Sequence, residues 1–129
     1  MAYVVKKANA GRGLFAEIIF KRNEKIIEYT GKEVSFETVS PNAKYLMDLD
    51  ETTVIDGKCH TNTARYINHS CKPNAQAYVS GRQVFIYAKK RIQTGEEITI
   101  DYGKEYWDQH IRPKGCRCTP CAGHLPVQA

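Results

Sequence analysis

The sequence predicts a mostly β domain, and three observations carry that reading. Apolar segments are short and bounded by turn signals such as Asp56-Gly57, Ser80-Gly81-Arg82 and Thr94-Gly95. Only one stretch, around Lys104 to Ile111, has the pattern of a longer helix, and Pro113-Lys114-Gly115 stops it. The length of 129 residues is enough for one hydrophobic core and not two.

In chain order, Glu17 to Phe20 and Ile26 to Tyr29 bracket Lys21-Arg22-Asn23-Glu24, which reads as a hairpin connection. Val34 to Phe36, Tyr45 to Leu49 and Thr52 to Ile55 follow as strands. Thr61-Asn62-Thr63 is placed to cap a short helical turn running towards Asn68. Gln76 to Val79, Gln83 to Ala88 and Ile98 to Tyr102 are three more strands. Pro113-Lys114-Gly115 separates a small cysteine-rich tail from the rest, and there is no internal repeat or low-complexity stretch.

Composition narrows the class. With 42% hydrophobic and 26% charged residues the chain is of ordinary globular type, which excludes a collagen, a mucin or a disordered tail. No apolar stretch has signal-peptide or membrane-span length; Leu14 to Phe20 is interrupted by Glu17. The expectation is an intracellular protein with no membrane partner. Five cysteines is an odd number, and Cys116, Cys118 and Cys121 lie too close together for ordinary mutual disulfides, so a metal in a reducing compartment is the better reading. The net charge is +5, and Lys89-Lys90-Arg91 is the one continuous run of three; it reads as a solvated strand end, with contact to nucleic acid or an acidic protein as the alternative.

Three motifs carry chemistry. Gly11-Arg12-Gly13 suits a backbone that bends sharply and lets a ligand approach, although a plain turn would use the same glycines. Asn68-His69-Ser70-Cys71-Lys72-Pro73-Asn74 places polar and reactive residues between apolar segments, a run with no use in a core; an Asx-rich turn explains Asn and Ser but not the cysteine. Gly95 to Gly103 is an alternating strand that ends on Tyr102 beside a glycine.

In this order the motifs resemble the SET-domain protein lysine methyltransferases. The resemblance runs through Gly11-Arg12-Gly13, Glu28-Tyr29-Thr30-Gly31, Tyr45 to Asp50, Ile55-Asp56, Asn62, Ala64 to Cys71, Gly95-Glu96-Glu97 and Asp101-Tyr102-Gly103. It implies a SET-domain fold of short curved sheets over residues 1–112, with a C-terminal pseudoknot, and a zinc-binding post-SET segment over 113–129. It implies transfer of a methyl group from S-adenosylmethionine to a lysine ε-nitrogen of a protein substrate, a histone tail being the family's usual one. Nucleic acid is not required, and the location is cytoplasmic in a bacterium or nuclear if the target is chromatin. A domain this small is also a candidate for homodimerisation.

Carried over residue by residue, Gly11, Arg12, Gly13, Tyr45, Asn68 and His69 contact the cofactor, Tyr102 is the catalytic tyrosine, and Tyr29, Ile100 and Tyr102 line the lysine channel. His69 reads as structural and cofactor-facing rather than as a general base. Ile100 offers no hydroxyl where the family commonly has Phe or Tyr, which favours di- or trimethylation unless Tyr78 or Tyr106 fills the same space. Cys71, Cys116, Cys118 and Cys121 form a four-thiolate zinc set. Only Thr119 and Pro120 separate its last two ligands, fewer than the family's usual spacing, which makes His124 the substitute ligand. Cys59 is left over as a small core residue, and His60, His110 and His124 as surface residues. The alternative is a zinc-stabilised module that binds nucleic acid or protein without catalysis; it leaves Tyr102 and the Asn68-His69 pair without a task.

Overall fold

A computed structural model describes residues 2–8, 11–39 and 43–101. Among these residues, ten short strands and two 3-10 turns are found, and the strands form three small sheets. The first sheet has the order β1-β2-β10-β7, from β1 (Tyr3–Ala8), β2 (Gly11–Ala16), β7 (Asn68–His69) and β10 (Glu97–Ile100). The second is β3-β9-β8, from β3 (Lys25–Tyr29), β8 (Ala75–Ser80) and β9 (Gln83–Ala88). The third is β4-β6-β5, from β4 (Lys32–Ser35), β5 (Leu46–Asp48) and β6 (Thr53–Asp56). The 3-10 turns are Phe36–Thr38 and Thr63–Tyr66.

Alternation drives the strands. On β9, Val84, Ile86 and Ala88 are buried while the residues between them are not, and on β10 Ile98 and Ile100 are buried between Glu97 and Thr99. These side chains join Leu14, Ile67 and Ile92 in one core that all three sheets feed. Burying a side chain of this size is worth roughly 1.5–3 kcal/mol. The core therefore holds the sheets in place around whatever their polar ends build.

Several expectations are corrected. Glu17 to Phe20 does not pair with Ile26 to Tyr29: β3 pairs antiparallel with β9, and Phe20 makes a lone bridge to Ile92. The long-range partner wins because a three-stranded sheet packed on the core, burying Ile26 and Tyr29, is stable where an isolated two-stranded hairpin is marginal. Gly11-Arg12-Gly13 lies within a strand, paired with β1, rather than in a turn before one. β1 itself is an element that the sequence reading does not contain. Val34 to Phe36 is strand only to Ser35, where the chain turns into a 3-10 segment. The turn after Asn62 forms, but the Asn62 side chain does not cap it.

Two burial expectations also change. Cys59 is exposed, not a core residue; its thiol lies 3.2 Å from Thr61 Oγ1, which holds it below the usual thiol pKa. The polar run after Asn68 does have a use in the core, since Ser70 and Asn74 are buried and hydrogen bonded. His60 is exposed, as expected, and so are Lys89, Lys90 and Arg91. The Lys104 to Ile111 helix, the tail, Tyr106, His110 and His124 lie outside the described residues.

Candidate functional site

The site is built where β7 meets β10. The two strands run parallel for two residues, Thr99 opposite Asn68 and Ile100 opposite His69, and Ser70 N donates to Ile100 O at 2.9 Å. A parallel contact this short has too few backbone bonds to hold itself. Buried side chains supply the rest: Asn74 Nδ2 donates to Glu97 O at 2.8 Å and Asn74 Oδ1 accepts from Thr99 N at 2.9 Å. Asn74 is 5% exposed and ties the segment after β7 to β10 at two points.

On the other side of β10, β2 pairs Leu14 with Ile98 and Phe15 with Glu97. This brings the glycine pair to Asn68, whose Nδ2 donates to Arg12 O and to Glu97 Oε2, both at 2.8 Å. The two glycines have different reasons. Gly11 has φ +101° and open space around it, so its conformation is what demands glycine. At Gly13 a Cβ would collide with the Glu97 carboxylate and lie 3.0 Å from Ala8 Cβ, so glycine is what lets Glu97 reach Asn68. A groove of about 590 Å³ opens beside this edge, lined by Val5, Lys6, Lys7, Gly11 and Arg12.

His69 is nearly enclosed, its side chain 7% exposed, with Nδ1 3.7 Å from Asp101 Oδ1 and Nε2 3.7 Å from Cys71 Sγ. Burial pushes its pKa down and the Asp101 charge pulls it back only in part. The side chain is thus a neutral imidazole beside a carboxylate at pH 7, at a distance longer than a hydrogen bond.

The remaining predicted residues come from the other sheets. Tyr29 is 5% exposed at the end of β3, and next to it Thr30 N donates to Asn62 Oδ1 at 3.0 Å. Asn62 is itself buried and donates to Gly57 O at 3.0 Å. Tyr45 sits at φ +60°, a left-handed conformation rare for a bulky side chain, with its carbonyl taking Gly57 N at 2.8 Å. Arg65 holds it there: the guanidinium stacks 4.6 Å from the Tyr45 ring and donates to Lys58 O at 2.6 Å. Ile100 is 4% exposed and faces the core. Tyr78 is 52% exposed and edge-on to Tyr87 at 5.6 Å.

Gly11, Arg12, Gly13, Asn68, His69 and Ile100 thus share one sheet, whereas Tyr29 and Tyr45 belong to the elements around it. Tyr102, Cys116, Cys118 and Cys121 lie outside the described residues. Among the described residues no group of His, Cys, Asp or Glu could hold a metal ion. Asn74, Glu97, Arg65 and Asp101 had no role in the sequence reading. The available signals were an Asn directly before an apolar strand, and a carboxylate on the polar face of an alternating one.

A β protein whose polar site sits at a crossing of two strands far apart in sequence, beside a glycine pair, is a narrow structural class. Residues 11–103 match the SET domain family, and the chain belongs to it. It is 37% identical over 129 residues to the H3 lysine-4 specific histone-lysine N-methyltransferase of Emericella nidulans, covering 88% of this chain and 11% of that protein. It is 37% identical over 127 residues to histone-lysine N-methyltransferase SETD1 of Drosophila melanogaster and 36% to SETD1B of Homo sapiens, covering 88% of this chain and 8% and 6% of theirs. The chain therefore spans about a tenth of the length of these relatives. No helix among the described residues is long and apolar enough to cross a membrane.

Proposed function

We propose that this chain is an S-adenosylmethionine-dependent protein-lysine N-methyltransferase whose substrate is a histone lysine. The observation that carries the reading is the β7–β10 contact, which sets Asn68 and His69 against the strand leading into Tyr102 and ties Asn68 to the Arg12 carbonyl. Membership of the SET domain family and the names of the histone-lysine methyltransferase relatives support the same conclusion. The non-catalytic binding module is not favoured, since it gives this crossing no purpose.

The residues present fit the cofactor. The groove beside Gly11 and Arg12 opens at a glycine edge, and the open space around Gly11 lets a nucleoside carrying an amino-acid chain approach the backbone closely. Gly11, Arg12, Gly13, Asn68 and His69 would hold it, with Tyr45 at its side. When bound, S-adenosylmethionine supplies an electrophilic methyl carbon attached to a sulfonium.

The chain's own part is to present the lysine as a neutral amine. Its unperturbed pKa is about 10.4, and a channel lined by Tyr29, Ile100 and Tyr102 lowers that by withdrawing water from the ammonium. Alignment of nitrogen with the methyl carbon then supplies most of the rate, and the Tyr102 hydroxyl orients the amine. Ile100 gives no hydroxyl to anchor a water, which supports di- or trimethylation.

The test is turnover on histone H3 peptides with product mass read by mass spectrometry. Tyr102→Phe is expected to lose most turnover while binding S-adenosylmethionine within a few-fold of wild type. Ile100→Tyr is expected to shift the product to the monomethyl form. Full turnover by the Phe variant would sink the catalytic assignment, and a wild type that stops at one methyl would sink the reading of Ile100.

The tail is proposed to fold on zinc held by Cys71, Cys116, Cys118 and Cys121, with His124 as the substitute for Cys121. Metal analysis is expected to find one zinc per chain, and a chelator to abolish turnover while leaving the sheet spectrum intact. An active preparation free of zinc would refute this.

A further inference from the structure

We propose that the paired turns at residues 20–25 and 88–92 form a docking surface for the phosphate backbone of duplex DNA. The two segments lie far apart in sequence, and four backbone hydrogen bonds bind them together. Phe20 N donates to Ile92 O at 3.0 Å, Ile92 N to Phe20 O at 2.9 Å, Asn23 N to Ala88 O at 2.8 Å and Ala88 N to Glu24 O at 2.8 Å. Lys21, Arg22 and Lys25 are thereby set beside Lys89, Lys90 and Arg91, and all six are exposed.

The charge of the chain is concentrated here. Six cations face one carboxylate, Glu24, leaving +5, which equals the formal net charge of all 129 residues; the other 13 basic and 13 acidic residues cancel. Glu24 does not neutralise the patch freely, because its Oε1 accepts Lys21 N at 2.8 Å and is built into the turn. Among the described residues none of the six cations has a carboxylate within salt-bridge distance. Lys25 instead rests its ammonium 4.4 Å above the Phe85 ring. Like charges gathered on a rigid frame without counter-charges repel one another; a polyanion neutralises them, and the counterions it releases on binding add to the affinity.

The exposed residues 21–25 and 89–91 contain no apolar side chain, which suits a phosphate backbone better than a surface into which groups must insert. Ile18 and Ile19, 46% and 43% exposed, stand just outside the patch, so an anionic lipid surface is the competing polyanion. None of the six cations belongs to β2, β7 or β10, and the proposal does not rest on methyl transfer.

Fluorescence anisotropy with a short labelled DNA duplex of arbitrary sequence, across a salt series, tests it. Each phosphate neutralised contributes about −0.9 to the slope of log affinity against log salt. The triple variant Lys89→Gln, Lys90→Gln, Arg91→Gln is expected to lower that slope by about 2–3 and to weaken binding by at least ~10-fold. Lys21→Gln with Arg22→Gln, on the other turn, is expected to act in the same direction, so misfolding of one variant leaves the other as a test. Lys32→Gln with Lys44→Gln, also exposed but elsewhere, is expected to change affinity less than about twofold. Methylation of a free peptide should be the same in wild type and patch variants, which separates this result from the catalytic reading. DNA binding whose slope the patch variants leave unchanged would overturn the proposal. So would an absence of DNA binding at low salt, or binding to phosphatidylserine vesicles but not to DNA.

Discussion

The β8–β9 hairpin and the β7–β10 crossing are held by opposite means. In the hairpin, six consecutive residue pairs from Ala75↔Ala88 to Ser80↔Gln83 close over a two-residue turn, and an alternating apolar face packs on the core. In the crossing, two pairs of residues meet and three polar side chains, Asn68, Asn74 and Glu97, provide the bonds that the backbone lacks. Regular pairing makes a scaffold in which backbone bonds do the joining. The crossing is irregular, so its polar atoms can face a ligand. The difference implies that damage to the crossing should remove binding and stability together, whereas damage to the hairpin should touch stability alone.

The largest effect is expected from Asn74→Ala. It removes both halves of the bridge and leaves Thr99 N and Glu97 O without that partner in a partly buried place, at a cost of about 2–4 kcal/mol. Urea unfolding should read that loss, and calorimetric titration should show S-adenosylmethionine binding at least ~10-fold weaker. Normal affinity in a destabilised variant would break the comparison, because the crossing would then be scaffold too.

A smaller change is expected from Tyr78→Ala on the hairpin. The edge-on contact with Tyr87 is worth about 0.5–1.5 kcal/mol at most, and Tyr78 is half exposed. Stability should fall within that range in a double-mutant cycle with Tyr87→Ala, with cofactor affinity unchanged. Any loss of affinity would mean that the two regions are coupled.

The smallest effect concerns Arg82 at the hairpin's turn. Its guanidinium donates to Glu33 Oε1 and, at 2.8 Å, to Asp50 Oδ2, clamping the second sheet to the third. Arg82 is the leading cause that holds Asp50 well below the usual carboxylate range, with Thr52 N and Thr53 N adding to it. A depressed carboxylate contributes stability above its unfolded pKa, and that contribution is lost as pH falls towards the folded value. The pair is solvent exposed, so Arg82→Ala should lower the melting temperature by only a few degrees. The gap between wild type and variant should hold from neutral pH to about pH 4 and narrow below it. A gap that widened in acid would contradict the assignment.

Legibility in the sequence followed the same division. β5, β6, β8 and β9 were readable within a residue or two, since alternation and turn dipeptides are local signals. The partner of β3 was not, because nothing in residues 17–29 indicates that residues 83–88 offer a better edge. Gly11, Arg12, Asn68 and His69 were legible as a set through the motif resemblance, and the described geometry brings them together. The supporting residues were not: Asn74 reads as part of an Asx-rich turn and Glu97 as one residue of an alternating strand, and both acquire their tasks only when β7 arrives beside β10. Cys59 failed for a different reason, since a small thiol next to Gly57-Lys58 carries no alternation to indicate which way it faces.

The span of the Asn68 contacts also sets an order of events during folding. Asn68 meets Glu97 across 29 residues and Arg12 across 56, whereas the hairpin closes over a turn of two. Closing a long segment costs more chain entropy than closing a short one, and contacts of this range form late. On refolding, absorbance from Tyr78 and Tyr87 should recover before the ability to bind S-adenosylmethionine does. On the ribosome, the Asn68 contacts cannot close until β10 has emerged, 29 residues after Asn68 itself.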